Sequence, residues 1–133
     1  MARQQAREAA MQLVFEQLFG GEGKPETLVD LTDYTPDSND LRFIEEMVSG
    51  VDAHLPEIDS TIASCLRGWT IERLARVDLA VLRLAVYEME YAGTPAPVVI
   101  SEAVEMTRKY SREESCPFVN GVLGTIHRKQ AQK

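Results

Sequence analysis

Cysteine and histidine are scarce in this chain of 133 residues, with two of each. Cys65 and Cys116 stand alone, with no CxxC and no His-rich spacing near them. That leaves no metal-ligand pattern and reads as reduced thiols in a cytoplasmic protein. His54 and His127 have neighbours that suit a helix end or a surface, so a catalytic triad has little to work with. No apolar run reaches the roughly 18 residues needed to cross a membrane. The longest candidate, LAVLRLAVYEM, is broken by Arg83. The opening MARQQAREAA is too polar for a signal peptide. GGEGKP lacks the spacing of a phosphate loop, the Ser/Thr after its lysine and a preceding strand, and reads as a linker. Adjacent carboxylates such as Glu45-Glu46 and Glu113-Glu114 point apart on a helix and read as solvated faces. No internal repeat or low-complexity tract is present. We expect no cofactor, no metal and no membrane partner.

What remains is a single globular domain, 44% hydrophobic and long enough to bury a core. The net charge of −7 argues at first against nucleic acid. Its distribution weakens that argument. Residues 20–60 hold eleven acids against two bases, and the rest of the chain ten acids against twelve bases. The acidity is concentrated in one segment, and the remainder can present a modest basic surface.

Almost every segment has helical periodicity. Residues 2–19 place Ala6, Ala10, Leu13 and Leu18 on one stripe. A short helix can start at Pro25 and run to about 33. PDSND offers N-cap residues, after which Leu41, Ile44, Val48, Val51 and Leu55 repeat at helical spacing. Pro56 suits the first turn of the next helix, which Gly68 ends. Thr70 can cap a short turn. The segment 77–91 is apolar on most sides and therefore predicted to be the buried, central helix. GTPAP links it to a helix over about 97–110.

SCPFVNGVL, residues 115–123, is ambiguous. Asn120-Gly121 is a strong hairpin signal. Phe118, Val119, Val122, Leu123 and Ile126, however, fall at helical spacing. Ser111 and Glu114 have capping-box spacing, Ser115 is a second candidate cap, and Pro117 is tolerated in a first turn. No strand pattern flanks the dipeptide, so residues 116–129 are predicted to be helical. Gly121 then costs about 1 kcal/mol of helix propensity relative to Ala. Either another helix approaches closely there, or Phe118 and Gly121 leave a face open to a ligand.

Arg3, Arg7, Met11 and Phe15 recur every four residues and form one ridge on the first helix. Cations with an aromatic suit single-stranded nucleic acid, because arginine contacts phosphate and a ring stacks on a base. The same spacing also fits a plain amphipathic helix with Phe15 in the core and the arginines in water.

The blocks RQQAREAAMQLVF, FIEEMVSGV, WTIERLARVDLAVLRLAVYEM, PVVISEAVEM and EESCPFVNGVL occur in this order. Together they resemble the transcription antitermination NusB family over nearly the whole chain, VDLAVLRLAVYE and FVNGVL being the most specific. The resemblance implies an all-α fold of about seven helices in two three-helix subdomains. It implies a transcription antitermination factor without enzymatic activity. Such a factor binds the single-stranded boxA RNA of ribosomal RNA leaders, together with the ribosomal protein NusE, in the RNA polymerase antitermination complex. It assigns RNA contacts to Arg3, Arg7, Phe15, Glu114 and Phe118, and the NusE face to Glu72 and Asp78. Phe15 and Phe118 would then form one site from the two ends of the chain. Gln4, Gln5 and Pro97 depart from often-basic family positions, which implies weaker RNA binding. Some members form homodimers.

Two other functions compete. One is a helical protein-interaction or self-association module with weak RNA binding. The other is the accessory domain of an RNA methyltransferase, which the lack of a glycine-rich nucleotide loop and of a catalytic cysteine context disfavours.

Overall fold

The computed structural model describes residues 2–20 and 35–132, the side chains of residues 2 and 3 excepted. The short helix expected after Pro25 lies outside the described residues. Within them the chain forms six α-helices and one 3-10 turn, with no strand. They are α1 (Ala2–Gln17), α2 (Ser38–Ala53), α3 (Leu55–Ala63), the 3-10 turn Ile71–Arg73, α4 (Arg76–Glu90), α5 (Ala96–Tyr110) and α6 (Ser115–Ala131).

Local chemistry explains several of the boundaries. Asp37 caps α2, its side chain accepting a hydrogen bond from the Asp40 N–H at 2.8 Å. That satisfies one of the backbone donors every helix start leaves free. Pro56 lies in the first turn of α3 and Pro97 in that of α5, where a missing N–H costs nothing. The start of α6 differs from expectation. Neither Ser111 nor Ser115 caps it, and Glu114 is already helical at φ −63°. The Ser115 and Cys116 N–H groups instead donate to the carbonyls of Arg112 and Glu113. A backbone turn thereby takes the donors that a capping side chain would have satisfied.

The central helix is α4. Leu79, Ala80, Val81, Leu82, Leu84, Ala85 and Val86 are all buried, which accounts for its apolar surface on most sides. α1 and α2 pack against each other on one side of it, and α5 and α6 on the other. These are the two three-helix groups, with α4 belonging to both. The close helix approach that a glycine permits occurs at Gly50, where an added methyl would collide with the Tyr87 ring of α4.

Three polar ties cross the layers. Arg83 binds Asp59 through two hydrogen bonds, at 2.9 and 2.8 Å, and so fastens α4 to α3. Arg7 binds Glu88 at 2.7 and 3.1 Å, joining α1 to α4. Glu8 accepts hydrogen bonds from Lys109 Nζ and the Tyr110 hydroxyl, both at 2.6 Å, joining α1 to α5. The Glu8 hydrogen bond holds the Lys109 ammonium above its ordinary pKa. Burial, and then the same carboxylate, raise the Tyr110 phenol.

Candidate nucleic-acid interface

Phe118 and Trp69 stand together between two open cavities. On α6, Val119, Leu123 and Ile126 face the core. Pro117, Phe118, Gly121, Thr125 and Lys129 follow at helical spacing along the adjoining face, where they line a cavity of about 460 Å³. Its opposite wall is the segment after α3, with Leu66, Arg67 and Trp69. The second cavity, of about 250 Å³, lies between the start of α6 and the start of α4. Trp69, Phe118, Arg73, Asp78, Arg112 and Glu114 line it.

Gly121 now has an explanation. It is helical and exposed, and a methyl group added there would meet nothing within 4 Å. Close approach of another helix, which the sequence also allowed, is ruled out at this position. The glycine instead leaves the groove floor open beside Phe118.

The groove has cations on both sides of its aromatic centre. Arg67, Arg73, Arg112 and Lys129 are all exposed. Lys129 reaches the Ser64 carbonyl at 3.4 Å. The three arginines have no ion-pair or hydrogen-bond partner among the described residues, so their donors are available to an anion. Trp69 is 57% exposed, which is costly for so large an apolar ring unless something covers it. These five residues were missed from the sequence. The signal was present in RGWTIER, where cations and an aromatic interleave.

The predicted site residues divide between the two ends of the chain. Phe118 is half-buried and Glu114 exposed, and both lie on the groove. Glu72 is exposed on the 3-10 turn. The side chain of Arg3 lies outside the described residues. Arg7 is not the solvent-facing cation that its spacing suggested. It is 9% exposed, with the Nε–Nη2 edge of its guanidinium engaged by Glu88, itself 2% exposed. A buried carboxylate demands such a partner, and the fork of an arginine supplies two parallel donors to it. Phe15 is half-buried, packs on the core and meets Phe19 edge-on at 5.1 Å. It lines neither of the two cavities that Phe118 lines. Asp78 is not a surface acid either, at 5% exposure.

An all-helical chain with an open aromatic groove edged by unpaired cations is built as a binding protein. The NusB family pattern matches residues 4–128. The transcription antitermination protein NusB of Acetivibrio thermocellus is 41% identical over 128 residues, covering 95% of this chain and 88% of that protein. The chain belongs to the NusB family. Solved structures agree. NusB of T. maritima superposes with a TM-score of 0.85 at 32% identity, over 95% of this chain and 90% of that one. A chain from a crystal structure of the antitermination factors NusB and NusE in complex with dsRNA gives 0.85 at 28% identity, over 96% and 97%. No helix among the described residues is long and apolar enough to cross a membrane.

Proposed function

We propose that this chain is a cytoplasmic transcription antitermination factor without enzymatic activity. It binds boxA-type RNA of ribosomal RNA leaders together with NusE, within the antitermination complex of RNA polymerase. Family membership and the likeness to a NusB–NusE–RNA structure support this reading. The observation that carries it is the pair Phe118 and Trp69, set between open cavities with four exposed cations around them.

Each part then has a role. Phe118 offers its ring to a base, with Glu114 beside it. Arg67, Arg73, Arg112 and Lys129 meet phosphates, and Arg3 adds a contact from the N-terminal helix. Phe15 and Phe19 form a second, smaller aromatic contact. Arg7 acts through Glu88 by holding α1 in place, rather than by touching phosphate. Glu72, exposed on its turn, faces NusE.

The test is titration of a labelled boxA-type RNA, with and without NusE. Phe118→Ala should cost about 1–3 kcal/mol of binding while the melting curve stays in place. If folded wild type fails to bind even with NusE present, the chain is a protein-interaction or self-association module instead.

A further inference from the structure

Asp78 is a buried acid whose side chain has an unpartnered oxygen. It lies in the first turn of α4, where the helix dipole favours an acid. That explains tolerance of the charge, but not the state of its oxygens. Oδ1 is buried with no hydrogen-bond partner among the described residues. Buried acceptors are normally satisfied, and leaving one empty is costly. The side chain lines the cavity of about 250 Å³ that Trp69 and Phe118 also wall.

We propose that this cavity receives one nucleobase of the bound RNA, a base whose exocyclic amino group donates to the Asp78 carboxylate. The inference rests on the RNA-binding reading above and adds base selectivity to it. The chemistry of the lining matches a nucleotide part by part. The Trp69 and Phe118 rings supply faces for stacking. Arg73 and Arg112, exposed and unpaired among the described residues, suit the flanking phosphates. The volume is below the roughly 300–1,000 Å³ of pockets for drug-sized ligands and suits a single base. A cationic side chain from a protein partner would also satisfy Asp78, but it would meet the same two arginines. Cytosine, adenine and guanine each present an amino group on the Watson–Crick edge. Uracil presents a single N3–H there between two carbonyl oxygens, so a carboxylate that meets its one donor is repelled by the oxygens on either side.

Trp69 is the only tryptophan in the chain, so its fluorescence reports on binding at the two cavities it lines. Octameric oligo(rC), oligo(rA) and oligo(rU) would be titrated into the whole protein. Oligo(rC) and oligo(rA) should quench Trp69 and bind about fivefold tighter than oligo(rU), the size of one net hydrogen bond. Asp78→Asn, whose amide can turn its N–H₂ toward a carbonyl, should bring the three affinities together. Trp69→Leu, at an exposed position, should weaken labelled oligo(rC) by about tenfold with an unchanged melt. That second variant decides the matter if Asp78→Asn fails to fold.

Equal affinity of wild type for all three oligomers overturns the inference and leaves RNA binding intact. The same holds if none of them binds while boxA-type RNA does. Loss of boxA binding as well overturns both readings. If Asp78→Asn lowers NusE affinity and leaves base preference unchanged, the cavity belongs to the protein face and the inference fails.

Discussion

The N-terminal helix and the start of α6 present similar residue types and use them in opposite ways. On α1 an arginine and an aromatic turn inward. Arg7 is consumed by Glu88, and Phe15 packs on the core. Around α6, Trp69, Arg73 and Arg112 are exposed and share one cavity with Phe118, which like Phe15 is half-buried against the core. The difference is decided by what lies opposite. α1 faces the polar spot on α4 where Glu88 is buried, and a buried carboxylate captures a guanidinium before any phosphate can. α6 faces a segment whose arginines, Arg67 and Arg73, form no ion pair among the described residues. Residue type nominates a contact, and the partner across the interface determines whether it is available.

The largest expected effect that separates the two regions is at Arg7. Arg7→Ala leaves Glu88 buried without its counter-ion and should cost about 3–5 kcal/mol of stability in a chemical melt. A loss below about 1 kcal/mol, with RNA binding weakened instead, would make Arg7 a phosphate contact after all and erase the contrast. Leu82→Ala, in the fully buried α4, should cost about 2–5 kcal/mol with no specific effect on RNA.

Next comes the salt dependence. Four exposed cations around the groove imply a slope of log affinity on log salt of roughly −3, at about −0.7 per contact to a single strand. Arg112→Ala should flatten that slope by about 0.7, measured by titration at several salt concentrations. An unchanged slope would remove Arg112 from the RNA path.

Gly121→Ala should do two things at once. It should raise stability by about 0.5–1 kcal/mol, since helix propensity improves and nothing is displaced, and it should weaken RNA binding by narrowing the groove. A more stable variant with intact RNA affinity would mean that RNA does not use this floor.

The smallest effect concerns pH. Lys109 and Tyr110 have raised pKa values in the folded state, so their protonated forms are favoured there. Their contribution is complete below the unfolded values, roughly pH 10, and is lost as pH rises through the folded ones. The melting temperature should therefore hold to about pH 9 and fall at higher pH, more in wild type than in Glu8→Gln. Equal falls would mean that the Glu8 cluster adds nothing.

The helices were legible because burial imposes a period on the sequence. The apolar surface of 77–91 predicted the central α4, and Phe118 through Ile126 outweighed the Asn-Gly turn signal. The start of α6 was misread at its caps, because a backbone turn can satisfy donors as well as Ser115 can, and a sequence shows only side chains. Phe118 and Glu114 were found through resemblance and do lie on the groove. Trp69, Arg67 and Arg73 were missed because their segment looked like a connection between helices. Arg7 and Asp78 are buried, which their spacing and the resemblance did not show, because a sequence does not reveal what packs over a charged side chain.

In the proposed function the main aromatic contact to RNA comes from Phe118 on α6, and Arg7 of α1 makes no phosphate contact. The most direct measurement is binding of labelled boxA-type RNA to Phe118→Ala, with the melt of the same sample. Phe118→Ala should lose about 1–3 kcal/mol of affinity with the melting midpoint held. A stability loss of about 3–5 kcal/mol with unchanged affinity in the folded fraction would make Phe118 a core residue and contradict the proposed contact.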